Sequence, residues 1–182
     1  TTGTRATQAA MAATSEIPIV FNHPADPAAL GLVKSLKRPG GNVTGVAAFS
    51  SQMTEKRLQL LKEIVPKVRR ILIYYDSNNP YSRENFLSAQ KAAGKLKLEV
   101  EQHAIKSAEE LKKSISDLQQ REGDAFFHVP DDLIESQADF IFAAAREKGW
   151  PTMFSEESLV AKGGLASYGP SYYQMGRQGA RL

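Results

Sequence analysis

Residues 70–82 read Arg-Ile-Leu-Ile-Tyr-Tyr-Asp-Ser-Asn-Asn-Pro-Tyr-Ser, and they predict a strand, a loop and the start of a helix. Residues 71–75 are apolar, β-branched or aromatic, 76–80 are polar and turn-forming, and a helical pattern begins at Arg83. In an open parallel α/β sheet, side chains, backbone N–H groups and helix N-termini converge beyond the carboxyl ends of the strands. A ligand is therefore expected in the crevice there.

The same unit recurs on both sides. Before it, 5–13 reads as a helix, 17–21 as a strand despite Pro18, 28–36 as a short helix stopped by Arg38-Pro39-Gly40-Gly41, and 43–49 as a strand. Gly45 inside that strand permits close backbone approach. From 53 to 65, Leu58, Leu61 and Val65 share one helical face, with Lys56, Arg57 and Glu63 placed mostly elsewhere. After the central unit, 98–104 alternates like a strand at a sheet edge, and Ser107-Ala108-Glu109-Glu110 is a capping box. Residues 125–129, 152–154 and 164–168 are strands. Helices are expected from Asp132 to about Gly149, over 155–161, and from Ser171 onward. Strands alternating with helices predict parallel sheets flanked by helices. Two such layers are expected, with the chain crossing between them near 47–51 and 163–166, where small residues can absorb backbone rotation.

Composition narrows the chemistry. The chain has 182 residues, 42% of them hydrophobic, enough for a proper core. Its net charge of +3 comes from basic residues interleaved with acids, so no nucleic-acid partner is expected. No apolar run approaches the ~20 residues of a membrane span. The absence of cysteine excludes disulfides, thiolate catalysis and cysteine metal sites. There is no phosphate loop, no Gly-x-Gly-x-x-Gly and no Gly-x-Ser-x-Gly elbow. His23, His103 and His128 lack ligand spacing and read as strand-end or surface histidines. No catalytic residue, metal or cofactor is expected, and the protein is not read as an enzyme.

What remains is a set of loops after the strands: Asn78, Asn79, Tyr81 and Ser82; Pro130 and Asp131; Ser155, Glu156 and Glu157; Tyr168. Hydroxyl and backbone donors for a carboxylate, a carboxylate for an ammonium and an apolar wall would together suit a small zwitterion. Taken singly, Asn79, Ser82 and Asp131 also stand where helix caps belong.

Several stretches resemble, in this order, the tryptophan/tyrosine-type family of ABC transporter substrate-binding proteins. They are Ile17-Pro-Ile-Val-Phe, Asp26-Pro, Gly31-Leu-Val, Leu36-Lys-Arg-Pro-Gly-Gly-Asn-Val-Thr-Gly45 and Lys56-Arg-Leu-Gln-Leu-Leu-Lys-Glu-Ile-Val-Pro66. Gly163-Gly-Leu-Ala-Ser-Tyr-Gly169, Tyr172-Tyr173 and Gly176-Arg-Gln178 resemble that family's return segment. The resemblance implies a type I periplasmic-binding-protein fold, two doubly wound parallel-sheet lobes closing on a small ligand. On that pattern 1–50 is a partial lobe one, 51–163 is lobe two, and 164–182 returns to lobe one, which is incomplete in this chain. The implied function is the solute-binding component of an ABC import system. It would be extracytoplasmic or periplasmic, its signal or anchor not in this chain, and would bind a small polar molecule such as an aromatic amino acid and deliver it to membrane permease subunits. The alternative is the ligand-sensing domain of a signalling or regulatory protein. The cleft is expected to use Ser82 and Asn79 for a ligand carboxylate, Asp131 for its ammonium, and Tyr81 and Phe49 for its apolar part. Glu156 or Tyr168 would complete the rim, with Asn22 and 47–49 supplied by lobe one.

Overall fold

A computed structural model of the chain describes residues 1–23, 26–28, 30–47, 49–119, 121 and 123–182. Ala48, which the sequence groups with the cleft, lies outside the described residues, as does Ala29 of the expected helix at 28–36. The chain divides into two compact units, Ser51–Gly169 and Thr1–Ser50 with Pro170–Leu182.

In the unit that contains the chain termini, helix α1 (Thr4–Ala13) precedes strands β1 (Ile19–His23) and β2 (Val43–Ala47), which pair in parallel from Ile19↔Val43 to His23↔Ala47. Pro18 has no N–H to give a ladder, so the strand begins at Ile19, whose N–H donates to the Asn42 carbonyl at 2.8 Å. Thr2 forms a parallel bridge with Asn22 on the other side of β1. Ile19, Phe21, Val33 and Val43 form the core. A Cβ at Gly45 would collide with the Phe21 carbonyl oxygen, the close approach its sequence position predicts. The helix expected over 28–36 is not found among the described residues. A hydrogen-bonded turn from Asp26 and Pro27 ends at Gly31, whose φ of 69° leaves the helical region.

The unit Ser51–Gly169 holds α2 (Thr54–Ile64), β3 (Arg70–Asp76), α3 (Pro80–Lys95), β4 (Glu99–Ile105), α4 (Ala108–Asp117), β5 (Asp124–Phe127), α5 (Asp132–Ser136), α6 (Ala138–Glu147), β6 (Thr152–Phe154), α7 (Glu157–Ala161) and β7 (Ala166–Ser167). Its strands form one parallel sheet in the order β4-β3-β5-β6-β7. β4 is an edge strand, as its alternation predicts. Because side chains alternate along a strand, Ile71, Ile73 and Tyr75 pack under α2 and α3 with Leu58, Leu61, Phe86 and Ala89. Leu72 and Tyr74 point the other way, to Leu111, Ile115, Ile134 and Phe142 of α4, α5 and α6. Both faces are covered, which is why β3 is apolar almost throughout.

The helix expected from Asp132 is two helices. Asp131 is the N-cap, and Gln137 at φ −106° and ψ 16° breaks the run before α6, while Ile134, Ala138, Ile141 and Ala145 remain buried. Residues 164–169, read from sequence with the return segment, belong to the sheet of this unit. Gly169 sits so close to the Ser155 carbonyl that a Cβ would collide with it. The terminal helix α8 (Tyr172–Gly179) is capped by Ser171. No described helix is long and apolar enough to cross a membrane.

Candidate functional site

In the sheet of Ser51–Gly169, β4 lies on one side of β3 and β5 on the other, so the strand order reverses between β3 and β5. The crevice at such a switch point, beyond the carboxyl ends, is where open α/β sheets bind ligands. The loop after β3 carries Asn79, with Tyr81 and Ser82 in the first turn of α3 that follows, and the loop after β5 carries Asp131. Glu156 follows β6 and Tyr168 follows β7. The topology thus brings six of the sequence-predicted residues to one sheet end.

Their side chains are in unequal states. Asn79 is the N-cap of α3, its Oδ1 accepting the Tyr81 N–H at 3.1 Å. Asp131 is buried, and its carboxylate is heavily engaged. Oδ1 accepts the N–H groups of Leu133 and Ile134 at 2.9 and 3.1 Å, and Oδ2 accepts that of Asp76 at 2.7 Å, tying the loop after β5 to the end of β3. Ser82 is fully buried, and its Oγ has no hydrogen-bond partner among the described residues. Glu156 is half-buried and accepts from Ser158 Oγ at 3.3 Å. Tyr168 is exposed, while its carbonyl accepts from Arg57 Nη1 at 3.5 Å.

The other two candidates lie in the unit with the chain termini. Asn22 is on β1 itself, and its buried Oδ1 has no hydrogen-bond partner among the described residues. Phe49 follows β2 with φ at 47°, a left-handed conformation rare for an aromatic residue and most frequent at functional positions. It lines a recess of about 190 Å³ together with Phe21, Val33, Leu36, Gly45 and Ala47.

Glu135 and Arg57, which the sequence does not single out, stand at the switch point or beside it, with His128, read from sequence as a strand-end or surface histidine, and Ser155, one of the loop residues named from sequence. His128 follows β5 directly and is only 1% exposed, so of its two readings the strand-end one holds and the surface one does not. Its Nδ1 lies 3.0 Å from Ser155 Oγ, also buried, and its Nε2 lies 3.5 Å from Glu135 Oε1. Burial, then the Arg57 charge, push the imidazole down to about 3, so the ring is neutral at ordinary pH. Glu135 is pushed up to about 8, by burial first and then by the charges of Glu156 and Asp132. The sequence reading sets Arg57 mostly off the apolar face of α2, yet it stands one turn before Leu61 on the same stripe as Thr54 and Leu58 and is fully buried. It donates to Thr54 Oγ1 at 3.2 Å and lies over the Phe127 ring at 5.5 Å. Arginine can be buried when its fork is hydrogen-bonded and its plane stacks on an aromatic face, and the ring that does so here is 70 residues away in sequence.

Ser155, His128 and Glu135 form a row of hydroxyl, imidazole and carboxyl, the groups of a nucleophile, base and carboxylate triad. Its geometry is reversed, however, because the hydroxyl meets Nδ1 and the carboxyl meets Nε2. Among the described residues, no group of three or more His, Cys, Asp or Glu could hold a metal ion.

A family model described as ABC transporter substrate binding protein matches residues 1–182. A tyrosine-binding protein of Clostridioides difficile (strain R20291) is 35% identical over 179 residues, covering 98% of this chain and 51% of that protein. A crystal structure of a conserved domain protein from Vibrio cholerae O1 matches with a TM-score of 0.85 at 29% identity, over 99% of this chain and 60% of the other. An ABC domain from Streptococcus pneumoniae in complex with L-Trp matches with a TM-score of 0.76 at 28% identity, over 96% and 58%. The chain spans about half the length of the curated relative it matches.

Proposed function

The chain belongs to the ABC transporter substrate binding protein family, and from that premise we propose that the whole protein is the solute-binding component of an ABC import system. It works outside the cytoplasm, holds a small polar ligand in a cleft between lobes without transforming it, and hands it to membrane permease subunits. The ligand class we assign is an amino acid, with aromatic ones first, in line with the tyrosine-binding relative and the L-Trp complex.

The observation that carries this reading is a pair of buried polar groups left without hydrogen-bond partners among the described residues, near the carboxyl ends of strands: Asn22 Oδ1 and Ser82 Oγ. An unmet buried polar group costs about 1–3 kcal/mol, so such groups are rare unless something else supplies the partner. A polar ligand would. Within this proposal Ser82 and Asn79 serve a ligand carboxylate, Tyr81 and Phe49 its apolar part, and Asn22, Glu156 and Tyr168 the polar rim. Asp131 braces the loop after β5 and has one oxygen lone pair left of roughly four.

Calorimetric titration of the full-length protein with each of the twenty amino acids tests the reading. A saturable one-to-one isotherm with L-tyrosine or L-tryptophan is expected. If no amino acid gives binding heat or raises the melting temperature, the reading fails.

A further inference from the structure

Asp131 and Glu135 are a helical turn apart, and of the two it is Glu135 whose carboxyl is open to a ligand. Asp131 accepts three backbone N–H groups and is 4% exposed. The Glu135 side chain is 27% exposed, and among the described residues no Lys or Arg pairs with it. Its surroundings are uniformly acidic: Asp131 and Asp132 on its own helix and Glu156 from the loop after β6. The group facing it from β5 is the buried His128, whose Nε2 has no hydrogen-bond partner among the described residues and is aimed at Glu135 Oε1 from 3.5 Å. The carboxyl is thus partly exposed and, among the described residues, without a paired cation, the Arg57 charge being felt at His128 behind it.

We propose that Glu135, backed by Glu156 and oriented by His128, receives the cationic amino group of the bound ligand, and that capture exchanges a proton for that group. This rests on the reading above that the ligand is an amino acid, and it moves the ammonium contact from Asp131 to Glu135. In the empty protein, burial and like-charged neighbours keep the Glu135 carboxyl protonated up to about pH 8. With His128 Nδ1–H donated to Ser155 Oγ, the neutral ring offers Nε2 as an acceptor for that proton. An arriving ammonium supplies the charge the cluster lacks, the carboxylate becomes the favoured form, and the proton leaves to solvent. No bond to carbon forms or breaks.

The test is calorimetry on the full-length protein at pH 7 with L-tyrosine, in phosphate and in Tris, whose ionisation enthalpies differ. Because a group titrating near 8 is mostly protonated at pH 7, release approaching one proton per ligand is expected. Glu135→Gln copies the neutral form and, because its unfolded chain gains nothing by ionising at pH 7, should melt no lower than the wild type. It should bind L-tyrosine roughly tenfold or more weakly with no proton release, and Glu156→Gln should lose less. 3-(4-Hydroxyphenyl)propionate, which lacks the amine, should bind wild type and Glu135→Gln alike. Binding without proton release in the wild type overturns the proposal while leaving the proposed function standing. So does wild-type affinity in a folded Glu135→Gln. If no primary amino acid binds at all, both fall.

Discussion

Ser82 and Asp131 each stand in the first turn or at the cap of a helix, at the same sheet end, yet their oxygens are in opposite conditions. Asp131 accepts three N–H groups, whereas Ser82 Oγ is buried with none among the described residues. Asp131→Ala should therefore cost about 2–4 kcal/mol of stability, from the lost cap and the stranded Asp76 N–H. Ser82→Ala removes no hydrogen bond seen among the described residues and should melt no lower than wild type, while weakening L-tyrosine binding by up to roughly tenfold. Thermal melts and titrations on both variants separate the cases, and an unchanged affinity in Ser82→Ala removes Ser82 from the site. The caps are legible in sequence because a cap depends on residues within a few positions. Arg57 is not, because its burial depends on Phe127 and on the Tyr168 carbonyl, 111 residues away. His128 escapes a local reading for the same reason, since Ser155 and Glu135 reach it from other elements.

At the scale of elements, the junction of β5 with α5 holds two groups displaced in opposite directions, and this gives stability a defined pH profile. His128 is depressed from 6.5 to about 3, so the unfolded chain takes up a proton first as pH falls. Its stabilisation is full above 6.5 and is lost towards 3. Glu135 is raised from 4.5 to about 8, so the unfolded chain loses its proton first as pH rises. Its stabilisation is full below 4.5 and is lost towards 8. Between 4.5 and 6.5 the two slopes cancel, leaving a plateau. From 6.5 to 8 only the Glu135 slope remains, worth about 2 kcal/mol at ~1.4 kcal/mol per unit. Urea denaturation across this range should show that alkaline fall in wild type and its loss in Glu135→Gln, and an equal fall in both would refute the assignment. Periodicity makes the elements themselves readable, β3 and the capping box at Ser107 most clearly, with Glu110 N–H donating to Ser107 Oγ at 3.2 Å. It fails over 28–36, where apolar spacing looks helical but Gly31 ends the turn. The five-residue α5, too short to show a period, merges in sequence with its neighbour.

For the whole molecule, alternation of strands and helices implies the parallel class, but spatial order does not follow from it. That β5 lies beside β3 on the side away from β4, creating the switch point, depends on packing that no local pattern encodes. The two units differ in how much core they possess. Ser51–Gly169 wraps both faces of a five-stranded sheet with its own helices and buries two large clusters. The unit with the chain termini has two paired strands and a core of Ile19, Phe21, Val33 and Val43 among its described residues, below what a sheet needs for independent stability. Residues 51–169 expressed alone should therefore unfold cooperatively, near the main transition of the 182-residue chain. In that chain, hydrogen exchange should protect the amides of β3 and β5 far longer than those of β1 and β2, because the latter open without breaking the larger core. A fragment 51–169 with no cooperative transition would show that the larger unit depends on the smaller one. Equal protection of β1 and β3 would show that the two units open as one.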